Sequence, residues 1–378
     1  MSSSLPASPL HYDPSFEKPE DDEAGTIHAL LETLQKINET TYKDGGHGLR
    51  GVHAKSHGLL TGELQVLDGL PPELAQGVFA QAGTYPVVMR FSTVPGDLLD
   101  DKVSTPRGLA IKLIGVPGTR LPGSEDDTTQ DFVLVNGPTF GAKDAKHFLS
   151  NLKLVAATTD RSESLKKVFS AVARGAEKVV EAFGGKSGAI IALGGHPETN
   201  ILGETFYSQV PMLYGPYIAK LSIAPVSPEL TILRDAPVDL HDRPNGLRDA
   251  VNSHFSERGG KWEVRIQLCT DLETMPIEDA SVTWPEEHNP FTPVARISVS
   301  PQPAWTQARS AAIDDGMSFS PWHAVAAHRP IGSIMRARKI VYDVMSKVRA
   351  RQNKLAISEP RALPTLVDHP ADNPIPAQ

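Results

Sequence analysis

The chain has 378 residues, 40% of them hydrophobic, which is enough for one large core or two ordinary domains. A net charge of −8 without a basic block argues against a nucleic-acid partner, and the single cysteine, Cys269, excludes a disulfide within the chain. The amino terminus has neither a positive region nor an apolar core, and no run reaches the roughly 20 apolar residues needed to span a bilayer, so a cytoplasmic protein with no membrane partner is the expectation.

Residues 1–24 are polar, acidic and dotted with proline, and read as an extended arm. Thr26 can cap a helix whose apolar stripe is Ile27, Leu30, Leu31, Leu34 and Ile37. Strand signals dominate from about 49 to 137. Residues 49–58, 86–96 and 130–138 are each β-prone runs with one or two embedded polar groups. Helical patterns begin near Asp144 and again over 164–183. Strand signals return at 217–223, 262–268 and 295–300. A last long helix spans 333–351, and residues 356–378 form a proline-rich tail. No internal repeat or linker divides residues 25–355. Strands with helices at the middle and end make this an α+β domain.

The last helix carries the first chemical signal. Ile334, Val341, Met345 and Val348 recur at helical spacing. On that helix Arg338 and Tyr342 lie one turn apart, and Arg349 falls two turns beyond Tyr342 on the same face. A guanidinium beside a phenol favours its anion. A tyrosinate is a strong donor to ferric iron and one of the few side chains that hold haem iron. By itself, an arginine–tyrosine pair at this spacing is more often a cation–π or packing pair.

Other motifs occur in a fixed order ahead of it. Arg50, Val52, His53, Ala54 and Lys55 form Arg-x-Val-His-Ala-Lys. Arg90, Phe91, Ser92, Thr93, Val94 and Gly96 form Arg-Phe-Ser-Thr-Val-x-Gly. Pro106-Arg107-Gly108 follows, then Asn136-x-Pro138, and later the stretch from Trp284 to Ala295. Together with Arg338, Tyr342 and Arg349 this order resembles the haem catalase superfamily over roughly residues 45–350. The resemblance implies an antiparallel β-barrel with flanking helices, and haem b held non-covalently between the barrel and the C-terminal helix. It implies Tyr342 as iron ligand with Arg338 beside it, and Arg50, Arg90 and Arg349 on the haem propionates. It implies His53 as the proton-transferring residue, Asn136 orienting peroxide, and Ser92 setting the histidine tautomer. Val52 and Val94 would narrow the route to iron, and Phe140 and Phe148 match aromatic positions near the haem. An arginine fork suits a carboxylate, and an imidazole can take and return a proton near neutral pH.

The chain also departs from the large catalases. Asp343 stands where they have proline after the ligand, Ser346 where they have histidine, and Thr105 where they usually have an access-channel aspartate. Residues 320–330 are similar to those of a small bacterial catalase-related subfamily. The implied partners are hydrogen peroxide and small organic donors, and the arm offers a way to wrap a neighbour in a homo-oligomer. Two other functions share the motifs: rearrangement of fatty-acid hydroperoxides, as in the allene oxide synthase relatives, and haem binding without catalysis. A rival site made of His47, His53 and His57 would need a helix for its i, i+4 pair, and Gly45, Gly46, Gly48, Gly51 and Gly58 oppose one.

Overall fold

The computed structural model describes residues 8–103, 105–159 and 197–366. Alternation builds the sheet. In β2 (Gly83–Thr93) Val87, Met89 and Phe91 enter the main core, while Val88 joins a second apolar cluster on the other face. β3 (Arg107–Ile114) and β4 (Thr129–Val135) repeat the pattern, with Leu109, Ile111, Leu113, Phe132 and Leu134 turned into the core. β1 (Ser56–Val66) pairs with β2 and with β9 (Thr292–Val299), and β8 (Gly260–Leu268) joins β9 to β7 (Tyr217–Pro225). β5 (Phe206–Tyr207) closes the ring, since Tyr207 pairs with Val135 of β4 and with Ser222 of β7. The result is an eight-stranded antiparallel barrel, with β6 (Met212–Tyr214) added beside the start of β7.

Large side chains fill the barrel: Phe79, Phe91, Phe206, Tyr214, Phe255 and Trp262 are all fully buried. Burial of each such apolar side chain contributes about 1.5–3 kcal/mol. The interior is therefore packed, and any site must lie on its outer face. There Leu59, Val88, Ala110 and Ile114 meet Ile313, Met317 and Phe319. Among the described residues, four helices of more than ten residues flank the barrel: α1 (Glu23–Gly45), α2 (Ala145–Thr159), α3 (Gly246–Glu257) and α4 (Ser333–Asn353). α1, α2 and α4 meet through Ile27, Leu30, Ala145, Leu149 and Ala337. A π-helical turn, Ser310–Asp315, precedes α4. No helix of the described residues is long and apolar enough to cross a membrane.

Several local expectations shift. α1 starts at Glu23, and Thr26 sits inside its first turn, donating its N–H to Asp22 O at 3.0 Å. Residues 49–55 are not strand, because His53 adopts a left-handed backbone (φ 56°) that turns the chain before β1. Residues 8–22 of the arm lie on their own chain: Leu10 and Tyr12 donate to Cys269 O and Pro216 O, and Glu17 pairs with Arg329 and Arg336. α3 lies where the sequence predicts no helix. Its buried residues, Leu247, Val251 and Phe255, recur every four positions in an otherwise polar stretch. The helix expected over 164–183 falls outside the described residues.

His328 gives the fold a pH dependence. It is buried among Phe79, Phe132 and Tyr214, and its Nε2 accepts the Val78 N–H at 3.0 Å. Burial pushes its pKa down to about 4. The unfolded chain binds a proton there near pH 6.5 and the folded chain does not, so stability falls as pH drops from about 6.5 towards 4, by about 1.4 kcal/mol per unit. Replacing His328 by Leu removes the Val78 acceptor and is destabilising at neutral pH, but it should flatten the acid slope by that amount. Urea midpoints between pH 7 and 4.5 check this; equal slopes would free His328 of the effect.

Candidate active site

A cavity of about 490 Å³ opens on the outer face of the barrel. β2, β3 and β4 floor it with Arg90, Ser92, Gly108, Ala110 and Val133. The loop ahead of β1 contributes Arg50, Val52 and His53, α4 contributes Tyr342, Met345 and Arg349, and the 318–323 segment closes a further side. These five strand residues are ones turned away from the packed barrel.

His53 is held from several directions. Its N–H donates to Val94 O at 2.7 Å, and Arg90 Nη2 donates to its carbonyl at 2.8 Å. Its Nδ1 shares a 3.1 Å hydrogen bond with Ser92 Oγ, which leaves Nε2 for a ligand in the cavity. Burial, then the guanidiniums of Arg90, Arg338 and Arg50, push its pKa down to about 3, so the ring is neutral at physiological pH. Gly108 makes room for it: a Cβ there would stand 2.5 Å from both Cε1 and Nδ1 of His53. Gly108→Ala should therefore displace the imidazole and break its bond to Ser92. The expected result is about 1–3 kcal/mol of lost stability, which urea melts read.

The arginines gather at the π-helical turn. Arg90 Nε donates to Asp314 Oδ1 at 2.6 Å, and the same carboxylate accepts the hydroxyls of Ser56 and Ser310. Arg50 Nη2 donates to the carbonyls of Ile313 and Met317, both at 3.1 Å. Arg349 donates to the carbonyls of Asp314, Asp315 and Met317, so its guanidinium serves the turn rather than Tyr342. Burial and the like charges of Arg349 and Arg90 push Arg50 well below its usual range, and burial with Arg90 pushes Arg349 down to about 10. Three guanidiniums crowded in this way favour an incoming anion. On α4, Arg338 Nη2 donates to the Tyr342 hydroxyl at 2.8 Å, and its guanidinium lies 4.9 Å from the centre of that ring.

Other residues lie elsewhere. Asn136 is not among the lining residues; its Oδ1 accepts Arg107 N–H at 2.9 Å and its Nδ2 donates to Glu204 Oε2 at 2.6 Å. Phe140 and Phe148 form an edge-to-face pair against Ile334 and Met335, off the cavity. Val94 contributes its carbonyl to His53, and buried Thr105 has no hydroxyl partner among the described residues. Asp343 and Ser346 line the cavity from α4. The three clustered histidines separate: His47 pairs with Asp315 at 3.0 Å, His53 faces the cavity, and fully buried His57 meets Thr93 at 3.2 Å.

A second polar cluster, without a sequence motif, borders the cavity. Lys112 Nζ donates to both oxygens of Asp131, at 2.7 and 2.9 Å, and to Glu359 from the segment after α4. His323, which lines the cavity, completes the group. Asp131, His323 and Glu359 have the donor types of a metal site, but the Lys112 ammonium already supplies their cation.

No protein-family model matches the chain, and no curated protein sequence does. Solved structures do match. A fungal catalase is 17% identical with a TM-score of 0.57, over 89% of this chain and 72% of that one. Catalase A from Saccharomyces cerevisiae is 17% identical with a TM-score of 0.56, over 92% and 68%. The fold is catalase-like. A bacterial catalase adds a TM-score of 0.56 at 16% identity, over 94% of this chain and 65% of its own. This likeness belongs to the catalase-like barrel and its flanking helices.

Proposed function

We propose that this catalase-like protein is a haem b enzyme that decomposes hydrogen peroxide in the cytoplasm, related to the small bacterial branch of the catalases. The observation that carries this reading is that Tyr342 and His53 line one cavity, with Arg50, Arg90 and Arg349 grouped at the adjoining turn. These residues fit the cofactor: a phenol for ferric iron, guanidiniums for two carboxylates, and the small Gly108 and Ala110 on the floor. Tyr342 would hold the iron, and the three arginines would receive the propionates. Bound there, haem would supply the redox chemistry that cleaves the O–O bond.

The protein's own part is proton handling. Neutral His53 takes a proton from peroxide at Nε2 and returns it to the departing oxygen, so that water leaves instead of hydroxide. Ser92 holds the ring at Nδ1, and Arg90 holds the turn that carries it. Asn136 is anchored to Arg107 and Glu204, outside the lining, so this reading gives the proton to His53 alone. Dismutation to water and oxygen is the first activity expected, with oxidation of small organic donors beside it. The test is to load the purified protein with haemin, record its spectrum, and follow oxygen release from hydrogen peroxide. A ferric phenolate-ligated spectrum with oxygen release supports the reading; a protein that stays colourless overturns it.

A further inference from the structure

We propose that His323 is a second proton acceptor of the cavity, serving a phenol bound between Trp322 and the loop that carries Pro122 and Gly123. The proposal rests on the peroxide reading for its oxidant and adds to it a class of electron donor and a place for that donor to bind.

The tautomer of His323 follows from its neighbours. Its Nδ1 lies 3.0 Å from Asp131 Oδ2 and 3.2 Å from Glu359 Oε1, whereas Lys112 Nζ is 3.5 Å away and already donates to both of these carboxylates. Two acceptors at hydrogen-bond distance place the hydrogen on Nδ1. Nε2 is then the lone-pair nitrogen, on a residue that lines the cavity. The carboxylates are themselves fixed: Asp131 accepts Ser320 N–H at 2.9 Å, and Glu359 accepts the Thr129 hydroxyl at 2.6 Å.

Charge gives the ring its reason to accept. Two cations, Lys112 and the nearby Arg120 guanidinium, face three carboxylates, Asp127, Asp131 and Glu359, which leaves one negative charge in the cluster. The side chains of Lys112 and Asp131 are fully buried, so water screens this surplus poorly. A proton taken up at Nε2 of His323 brings the cluster to neutrality.

The surroundings suit a flat, acidic ring. The Trp322 indole is fixed by its Nε1 donating to Met335 O at 2.8 Å, and Lys339 Nζ lies 4.7 Å from the centre of that ring. Among the described residues Lys339 has no ion-pair partner, so its charge is available to a phenolate. Pro122, Gly123 and Phe319 add apolar lining to the same cavity, which the carboxylates of Asp127 and Asp343 also line. In the reaction each phenol gives its hydroxyl proton to His323 and one electron to the peroxide-derived oxidant, and leaves as a phenoxyl radical. Two phenols therefore reduce one hydrogen peroxide, with two protons, to two waters.

3-Nitrophenol tests the site, because its anion has its own visible absorption and the free phenol stays mostly neutral at a pH where a free imidazole is unprotonated. Difference spectra at pH 7.5, against the ligand-free protein, should show saturable growth of the nitrophenolate band without proton release into a weak buffer. His323→Gln should abolish the band and weaken binding about tenfold, the loss of one charge-assisted hydrogen bond. Should that variant fail to fold, Glu359→Gln keeps the Lys112–Asp131 pair, removes the surplus charge, and should also lose the band. Lys339→Ala should weaken binding with the band retained. Nitrophenol bound without the band, an unchanged band in His323→Gln or Glu359→Gln, or no binding overturns the proposal. The haemin spectrum is scored separately: a protein that acquires it but gives no nitrophenolate band keeps the haem and loses the phenol site.

Discussion

Tyr342→Phe is expected to weaken haemin retention by more than about 100-fold, since loss even of groups that only support a metal ligand costs 10–100-fold. The substitution removes one oxygen and little else. Phenylalanine keeps the ring against the Arg338 guanidinium, which packs 4.9 Å from its centre, and α4 keeps its seating through Ile334, Met335 and Ala337. What goes is the phenol that Arg338 Nη2 approaches at 2.8 Å. The arginines at the π-helical turn can still attract the carboxylates of haem, so weak, salt-sensitive association is expected to survive. Titration with haemin, read at equal salt for both proteins, checks this. Full loading of the variant with an unaltered spectrum would remove Tyr342 as the ligand. Arg338→Gln makes the useful contrast: the oxygen stays and only its charged donor goes, so the loss should be smaller.

The pieces that sequence made legible are those whose signal is local. Alternation marks β2 within residues 86–96, and the spacing of Arg338, Tyr342 and Arg349 marks α4. Closure of the barrel is not local. It depends on the two-residue strand β5, whose Tyr207 pairs with residues 72 positions earlier and 15 later. Residues 49–55 looked like strand because their composition is β-prone. The left-handed backbone of His53, fixed by Arg90 and Val94, overrides that preference. The direction of each arginine was also out of reach. Arg349 shares a helix face with Tyr342, yet its guanidinium goes to carbonyls of a turn that precedes the helix. Phe140 and Phe148 are aromatic residues at positions where either cavity or core was open, and the core took them. The Lys112, Asp131, His323 and Glu359 cluster had no sequence signature at all. Its members come from two neighbouring strands, a turn and the chain after α4, and only the folded barrel brings them together.

His53→Ala should leave haemin binding intact and slow peroxide cleavage by about 10²–10⁴-fold, the usual worth of a positioned proton-transfer group. The backbone at this position is held by bonds that alanine keeps: its N–H to Val94 O and its carbonyl to Arg90. The loss should therefore be chemical, with melting temperature nearly unchanged. The pH profile makes the assignment sharper. With the ring pushed down to about 3, the wild type should stay active well below pH 6.5, because a neutral base is still present there. Its acid limb lies lower, and should vanish in the variant. Bound carboxylates facing Arg50 and Arg90 would offset part of the charge that depresses His53, so the limb should sit above 3 in the loaded protein. Wild-type turnover in His53→Ala would move the proton elsewhere. Asn136 cannot receive it, being a neutral amide, and Glu204 lies outside the lining with Arg107 and Asn136 bonded to it. Among the described residues His323 is the other imidazole lining the cavity, and the His53→Ala, His323→Gln double variant would decide whether it had taken over.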